Sequence, residues 1–331
     1  MNKKVLVFGG GTGMSCLLKG LKQFPIDITS VVSVCDDGGS TGILRDEFDM
    51  LAVGDIRKVL VALSQTESDV EELLNYRFKT NGTLNKHTVG NVMLAAVTEM
   101  TGSVQQGIEL LSKILNLRGT VMPVTEDNVV LVAEMEDGSF VEGEHHITEC
   151  NKTIKRIFYK ETPIINENLL DKINEADLIV FSMGSLYTSL LPCLACNEIK
   201  NAIDNSKAPI LYVCNLFTQP GETDDFTVSD HVEVINNYLG NKKVNMVIAN
   251  DGEIDSSLAY KYLTTEQKDS VVLDKDRLEY KVDKVITDDL VIIEDGVFRH
   301  DYVTLGSLIF SEILRMNKND KKKINVLKKI I

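Results

Sequence analysis

Short continuous apolar runs recur along the chain and alternate with stretches of helical periodicity. The runs are rich in β-branched residues and lead into Gly, Asp, Ser or Asn turns, which predicts strands buried on both faces at residues 5–8, 31–34, 178–181, 210–213 and 244–248. Amphipathic patterns predict helices at residues 16–23, 56–63, 70–78, 91–99, 104–115, 169–174, 198–204 and 229–238. This alternation predicts an α/β fold with a Rossmann-like, doubly wound, mainly parallel sheet.

The middle of the chain shows a different pattern. Residues 129–135 and 139–141 flank a Glu-Asp-Gly turn, which predicts a β-hairpin, and residues 154–159 predict a third strand. We therefore expect one α/β domain over residues 1–315, with a small β-rich excursion at about 118–162, followed by a lysine-rich tail at 316–331. We interpret the tail as a frayed, solvated helix, with contact to a membrane or a partner as the alternative.

Composition and charge narrow the class of function. The 331 residues include 49 Asp or Glu and 35 Lys or Arg, so the formal net charge is −14. An acidic surface repels phosphate backbones, which argues against a general binder of DNA or RNA. No apolar stretch is long enough for a membrane span or a secretion signal, and the six cysteines are scattered. We expect a cytoplasmic protein without a transmembrane segment.

A glycine-rich segment, Gly9-Gly10-Gly11-Thr12-Gly13, links the first predicted strand to a helix. Glycines let the backbone approach a ligand closely, and a helix N-terminus offers free N–H groups and the positive end of a dipole. The spacing matches neither GxxxxGK[ST] nor GxGxxG. We predict that Gly10, Gly11, Thr12 and Gly13 bind phosphate, with a tight strand-to-helix turn as the alternative.

Two consecutive aspartates, Asp36 and Asp37, follow the second predicted strand. An acidic residue at this position binds a ribose hydroxyl in dinucleotide-binding folds, and carboxylates also hold Mg²⁺. Both residues are therefore candidates for ligand binding, for a metal site and for catalysis, with a solvated turn as the alternative. We expect the next loop to close over phosphates through Ser40 and Thr41, and Arg45 is a further candidate ligand contact.

Two further segments place candidate groups before or at the start of helices. Arg57 lies in a first helical turn, where the dipole disfavours a cation, so we expect an anion as its partner. His87 lies in a polar turn that is followed by Asn91, and it is a candidate general acid or base or a donor to phosphate. The alternatives are an ordinary amphipathic helix for Arg57 and a structural role for His87.

The loops after the third and fourth predicted strands are rich in hydroxyl and amide groups. Such groups at the carboxyl end of a parallel strand suit hydrogen bonds to phosphate, ribose or a base. Because the two loops follow separate strands, we expect both to lie over one crevice. The candidate ligand residues are Gly184, Ser185, Tyr187, Thr188, Asn215 and Thr218.

Taken in order, these motifs resemble those of the YvcK-type gluconeogenesis factors, a bacterial family in the superfamily of the phospholactate transferase CofD. The matching segments are residues 9–13, 36–39, 54–57, 87–91, 184–192 and 214–231. The resemblance implies a Rossmann-like core, a nucleotide-sized crevice and UDP-sugars as the ligand class. It also implies a cytoplasmic role in normal cell shape and in growth on gluconeogenic carbon sources.

The chain departs from the family pattern at three places. Ser182-Met183 replaces a Gly-Pro pair, and Lys86 replaces the glycine before the histidine, although Ser185 and His87 are retained. The related transferase uses a nucleotide-linked phospholactate and Mg²⁺, and it carries Pro-Asp-x-Asp-Thr where this chain has residues 53–57. The third departure weighs against transferase activity.

Three functions are compatible with these patterns. The first is a regulatory protein that binds a UDP-sugar and, on closing, exposes or hides a surface for a protein partner in cell-wall or central-metabolism regulation. The second is a Mg²⁺-dependent phosphoryl or nucleotidyl transferase. The third is an NAD-dependent oxidoreductase, and NAD is also a candidate occupant of the crevice in the first case. We expect the first, without turnover, and leave a homo-oligomer open.

Overall fold

The computed structural model describes residues 2–150, 152–294 and 296–316, apart from the side chain of Asp46. The predicted lysine-rich tail therefore lies, except for Met316, outside the described residues. The strands are β1 (Lys3–Gly9), β2 (Ile26–Val32), β3 (Thr120–Pro123), β4 (Leu131–Met135), β5 (Phe140–Glu142), β6 (Ile154–Tyr159), β7 (Leu178–Phe181), β8 (Ile210–Val213), β9 (Met246–Asn250), β10 (Lys284–Asp288), β11 (Val291–Glu294) and β12 (Val297–His300).

The helices surround these strands in an alternating order. They are α1 (Gly11–Leu21), α2 (Gly39–Phe48), α3 (Gly54–Leu63), α4 (Ser68–Asn75), α5 (Val89–Thr101), α6 (Val104–Ile114), α7 (Glu144–Glu149), α8 (Glu167–Glu175), α9 (Leu191–Leu194), α10 (Asn197–Asn205), α11 (Val228–Tyr238), α12 (Ser256–Lys261), α13 (Lys275–Leu278) and α14 (Tyr302–Met316). Two π-helical turns span Leu186–Leu190 and Tyr262–Glu266. None of the described helices is both long and apolar enough to cross a membrane.

Within the described residues, the main sheet has seven strands in the order β10-β9-β8-β7-β1-β2-β3. Every neighbouring pair in it is parallel. The strand order reverses beside β1, which pairs with β2 on one side and with β7 on the other. The predicted doubly wound α/β fold is confirmed. In such sheets the crevice for a ligand opens at the carboxyl ends of the strands on either side of the reversal.

The apolar runs that predicted the sheet form the centre of the hydrophobic core. The side chains of Val7, Phe8, Val180 and Phe181 have no solvent exposure. Helix α1 packs against α3 and α14, while α10 packs against α8 and α9. Complete burial of each large side chain is worth roughly 1.5–3 kcal/mol, so the sheet provides a rigid support for the loops at its carboxyl edge.

The β-rich excursion is present, but it begins later than predicted. Strands β4, β5 and β6 form an antiparallel sheet in the order β5-β4-β6, close to the predicted strands. Residues 120–123, however, form β3, which pairs with β2 at the edge of the main sheet. The four-residue run was too short to show a period of its own, so the predicted boundary at about 118 was wrong.

Two other local predictions also need correction. The segment predicted as a phosphate-closing loop after Asp37 is helix α2, which places Ser40 and Thr41 in its first turn. The second strand was predicted at 31–34 but spans Ile26–Val32. The first half of the strand alternates between buried and exposed residues, so it lacks the continuous apolar run on which the prediction relied. Helix α14 and the β11–β12 hairpin were not predicted, and both follow the last segment assigned from the sequence.

Candidate functional site

The glycine-rich segment ends strand β1 and forms the N-terminus of α1. Gly10 is the N-cap residue and provides no side-chain hydrogen bond, and the first turn holds no acidic residue. The N-terminus of α1 therefore has no capping side chain of its own, an arrangement that binds anions, and the carboxylate of Asp55 lies beside Gly10 at this helix end. A Cβ atom on Gly13 would lie 1.7 Å from the carbonyl oxygen of Met183, so only glycine lets α1 approach the loop after β7.

A cavity of about 460 Å³ opens at this meeting point, within the range of roughly 300–1,000 Å³ that is typical of ligand sites. Loops from the carboxyl ends of β1, β2, β7 and β8 contribute to its wall. A larger cavity of about 540 Å³ lies at the amino ends of the strands and lacks the glycine segment. Of the predicted ligand residues, those that line the cavity at the carboxyl edge are Gly10, Gly11, Thr12, Gly13, Asp36, Gly184, Ser185, Thr188, Asn215 and Thr218.

The carboxylate pair in the cavity is Asp36 and Asp55, not Asp36 and Asp37. Burial raises the pKa of Asp36, and the charge of Asp55 raises it further, although the Gly38 N–H donates to Asp36 and opposes the shift. Asp37 instead accepts a hydrogen bond of 2.8 Å from the backbone N–H of His145. Asp37 therefore anchors α7 to the loop after β2, so that of the two aspartates predicted for a metal site only Asp36 lines the cavity, where Asp55 is a second carboxylate.

Two glutamates that the sequence analysis missed extend the acidic side of the cavity. Glu144 begins α7, and burial together with the charges of Asp36, Glu222 and Asp37 raises its pKa to about 7. Glu222 follows β8 and is 4% exposed, and burial raises its pKa as well. Neither residue has a local sequence signal, because α7 belongs to the β-rich excursion and Glu222 lies in a long loop.

Cations and aromatic rings form another part of the wall. Lys58, Lys268 and Arg299 line the cavity, and Lys58 Nζ lies 3.0 Å from Asp55 Oδ1. The rings of Phe217, Tyr262 and Phe298 also line it, and their centroids lie 5.0 to 5.1 Å apart. The i,i+3 spacing of Asp55 and Lys58 places both on one face of α3. Phe217 lies in the loop that was predicted to cover the crevice, whereas Lys268, Tyr262, Phe298 and Arg299 come from segments that were not assigned.

Four of the predicted residues form a separate cluster that does not line the cavity. Arg57 donates to Oδ1 of Asn91 over 3.0 Å and also to Asn75, and His87 Nδ1 lies 2.9 Å from Ser40 Oγ. Arg57 lies about 200° around α3 from Asp55, so it faces α5 rather than the cavity. Burial, and then the charge of Arg77, lowers its pKa. In this structure the hydrogen bonds of Arg57 join α3 to α4 and α5, and the contact of His87 with Ser40 joins α2 to the turn before α5.

The last predicted residues also lie outside the cavity wall. Arg45 donates to Asn128 and to the carbonyl of Val129, and it thereby ties α2 to the start of the β-rich excursion. Thr41 contributes a hydrogen bond that lowers the pKa of Asp36. Tyr187 is 3% exposed, and its backbone N–H donates to Glu222. These residues support the wall and do not form its surface.

The described residues contain no cluster of three or more His, Cys, Asp or Glu side chains with the geometry to hold a metal ion. Asp36 and Asp55 by themselves supply two carboxylates. Mg²⁺ commonly binds one or two protein carboxylates and completes its shell with water and substrate phosphates. The pair therefore fits a magnesium ion that arrives with a phosphate-containing ligand.

The fold and the cavity define a Rossmann-like α/β protein whose ligand-sized site lies at the reversal point of a parallel sheet. Residues 5–291 match the family described as 2-phospho-L-lactate transferase CofD. The chain therefore belongs to the CofD family, as the sequence resemblance predicted.

Several named proteins are similar in sequence to this chain over most of its length. The chain is 44% identical over 301 residues to a protein of Halalkalibacterium halodurans named "Gluconeogenesis factor", an alignment that covers 90% of this chain and 93% of the relative. A Bacillus subtilis protein with the same name is 43% identical and covers 92% of this chain and 96% of its own length. A crystal structure of a UPF0052 family member from Bacillus halodurans superposes with a TM-score of 0.89 at 43% identity, over 93% of this chain and 99% of the other.

Proposed function

We propose that this protein is a gluconeogenesis factor that binds a UDP-sugar in the cavity at the carboxyl edge of the sheet. The observation that carries the proposal is the uncapped N-terminus of α1, which faces the cavity where Gly13 meets Met183. Backbone N–H groups and the helix dipole at this position suit a diphosphate. The sugar and the base then extend to the two sides of the α1 N-terminus.

The aromatic rings give the nucleoside a defined place. Phe217 is partly exposed, while Tyr262 and Phe298 are buried behind it. A flat base packs favourably on such rings, a contact worth about 1–3 kcal/mol per base in nucleic-acid binding. Arg299 lies next to this platform in sequence and on the same cavity wall, where it can neutralise phosphate charge.

The charge of the cavity favours binding together with a cation. Among the described residues that line it, four carboxylates face three Lys or Arg side chains. A diphosphate that entered alone would add negative charge to an already acidic site. Mg²⁺ held by Asp36 and Asp55 would offset that charge and bridge the protein to the diphosphate.

We further propose that the protein is regulatory. Binding a UDP-sugar would report the supply of cell-wall precursors and would link normal cell shape to growth on gluconeogenic carbon sources, through a protein partner that recognises one ligation state. A ligand shifts such an equilibrium only by its difference in affinity for the two states. The cytoplasm, where UDP-sugars are made, is the corresponding location.

The test is a calorimetric titration of the purified protein with UDP-N-acetylglucosamine, with and without Mg²⁺, followed by recovery of the nucleotide. We expect saturable one-site binding that is tighter with Mg²⁺, and we expect the nucleotide to be recovered intact. Absence of binding to this ligand, to UDP-glucose and to UDP would contradict the proposal. NAD serves as the comparison ligand, because it also carries a diphosphate between two sugars.

A second candidate function is a Mg²⁺-dependent transferase of phosphorus-containing groups. The opposed carboxylates Asp36 and Asp55 beside the α1 N-terminus favour it, and so does membership of a family described by a transferase. Metal-dependent breakdown of the nucleotide in the same experiment would support this function and exclude a purely regulatory one.

A further inference from the structure

Glu222 is a buried carboxylate in the cavity wall that neither the diphosphate nor the metal requires. Its Oε2 accepts hydrogen bonds from Ser185 Oγ over 2.5 Å and from the Tyr187 N–H over 3.2 Å. Its Oε1 is buried and has no hydrogen-bond partner among the described residues. A buried carboxylate oxygen without a donor is costly, so a native structure rarely keeps one without a role.

The surrounding backbone holds Glu222 in place. Its N–H donates to the carbonyl of Gln219 over 3.0 Å, and the Gln219 N–H donates to Thr223 Oγ1 over 2.9 Å. Gly221 has a φ of +80°, which disfavours any other residue, and a Cβ on it would lie 3.0 Å from the carbonyl oxygen of Cys150. The free oxygen is therefore held on a fixed turn, as a recognition group needs to be.

The neighbours of Glu222 restrict the ligand chemistry on this side of the cavity. Ser185 Oγ lies 2.7 Å from Thr188 Oγ1, and the Thr188 hydroxyl in turn lowers the pKa of Glu144 through a hydrogen bond. The carboxyl groups of Glu222 and Glu144 lie at the two ends of this pair of hydroxyls, which donate to them, and Oε1 of Glu222 is left as an acceptor without a partner among the described residues. The two carboxyl groups repel a second phosphate or a carboxylate and attract neutral O–H and N–H donors, which a sugar ring provides.

We propose that Glu222 is the specificity-determining residue for the sugar, and that its Oε1 accepts a hydrogen bond from a hydroxyl or amide group of the sugar ring. This inference rests on the proposed function, because it assigns the acidic side to the sugar and the aromatic side to the nucleoside. A metal role for Glu222 is disfavoured, because two protein donors already occupy Oε2.

The experiment compares UDP with UDP-N-acetylglucosamine, UDP-glucose and UDP-galactose on the wild type and on Glu222→Gln. The amide oxygen can still accept from Ser185 and Tyr187, while the amide NH₂ replaces the free acceptor with a donor. We expect the affinity of the variant for UDP to stay within threefold of the wild type. Its affinity for the best UDP-sugar should fall at least tenfold, the size expected when a buried polar group loses its partner.

Two further variants and a stability measurement serve as controls for this test. Glu222→Asp keeps the charge but withdraws the oxygen by one methylene, and we expect it to lose the same preference for sugar over UDP. Glu149→Gln is the matched control, because Glu149 is an exposed glutamate on α7, and we expect it to change neither affinity. A melting temperature for each variant shows that it is folded under the titration conditions.

Single-deoxy analogues of the best sugar then identify the contact. We expect one hydroxyl whose removal weakens binding to the wild type but not to Glu222→Gln, because a contact already lost cannot be lost twice. Equal ratios of sugar to UDP affinity in wild type and both variants would overturn the inference and leave the proposed function intact. A variant that loses the same factor of affinity for UDP and for the UDP-sugar would overturn the inference as well. A wild type that binds none of these nucleotides would overturn both.

Discussion

One side of the cavity carries Asp36, Asp55, Glu144 and Glu222, whereas another part carries Arg299, Lys268 and three aromatic rings. Both sets of residues lie at the same edge of the sheet, but they come from different additions to it. Helix α7 of the β-rich excursion brings Glu144, and the β11–β12 hairpin brings Phe298 and Arg299. The sheet itself provides the centre of the site, the glycine segment at the N-terminus of α1, with Asp55 beside Gly10.

The contrast between these two groups of residues indicates how a common fold can fix the orientation of a bound ligand. The reversal point of a Rossmann-like sheet offers a place for phosphate, but it does not determine which groups of a ligand lie on either side of that phosphate. Opposite chemistry on the two sides would orient a ligand that has an aromatic, anionic end and a neutral, hydroxylated end. Changes at the centre should therefore abolish binding, while changes on one side should alter only the part of the ligand that lies there.

The largest effect is expected from Gly13→Ala at the centre. Alanine would favour the helix by about 1 kcal/mol, but its Cβ would lie 1.7 Å from the Met183 carbonyl, so α1 and the loop after β7 must separate. We expect loss of detectable UDP-sugar binding and a lower melting temperature. Gly82→Ala is the control, since a Cβ there meets only Thr80 Oγ1 at 3.8 Å. Full binding by Gly13→Ala would refute the assignment of the centre.

Asp36→Asn should produce the next largest effect, on the acidic side. Loss of one carboxylate from the proposed metal pair removes a charge-assisted contact of about 1.5–3 kcal/mol, so we expect roughly 10–100-fold weaker binding in Mg²⁺ and little change in EDTA. Asp37→Asn is the matched control, because an asparagine oxygen can still accept from the His145 N–H. Equal losses in the two variants, measured by calorimetry, would restore the consecutive aspartates as the metal pair.

These two aspartates also show how far the sequence could predict the site. The glycine segment, Asp36, Ser185 and Asn215 were found because each directly follows a buried strand, and strand ends are fixed by the sheet. Asp37 was placed at the site for the same reason, and Arg57 and His87 because they lie at or before the start of a helix, but the side chains of all three contact other segments. Chain position predicts the edge of the sheet at which a residue lies, whereas the direction of its side chain depends on packing that the pattern does not contain.

The missed groups have a different cause. Glu144 and Arg299 reach the cavity from segments that were not assigned to the site, and Glu222 lies in the loop after β8, beyond the residues of that loop that were assigned. Their approach depends on tertiary contacts, such as the hydrogen bond between Asp37 and the start of α7, which leave no periodic trace. The fold could be predicted because buried parallel strands form continuous apolar runs. The acidic and basic groups that line the cavity could not be predicted in this way.

A smaller effect is expected from Arg299→Gln, on the side that the aromatic rings define. Arg299 is exposed, so water and salt screen its charge, and its loss should cost about 1 kcal/mol, or roughly fivefold in affinity. The loss should be equal for UDP and UDP-sugar and should shrink at high ionic strength. Lys172→Gln at the amino edge of the sheet is the control. A loss confined to the sugar-bearing ligand would reverse the orientation proposed above.

The smallest effect concerns stability, and it tests the acidic side without a ligand. Burial raises the pKa of Glu144 from its ordinary 4.5 to about 7, so the folded state binds this proton more tightly than the unfolded chain does. The stabilisation is fully present below about pH 4.5 and is lost as the pH rises through 7. The variant Glu144→Gln has no carboxyl group to ionise at this position, so it does not lose stability in this way as the pH rises.

The free energy of unfolding of Glu144→Gln relative to wild type should therefore increase by about 1 kcal/mol between pH 5 and pH 8. The full pKa shift of Glu144 would correspond to a larger difference in free energy, but partial exposure of the side chain and screening by solvent reduce that difference. Urea denaturation at the two pH values measures the difference, with Glu161→Gln as the exposed control. Mg²⁺ should reduce the effect at pH 8, because a cation near Asp36 offsets the charges that raise the pKa of Glu144. A difference that is the same at both pH values would show that Glu144 is not part of the electrostatic cluster.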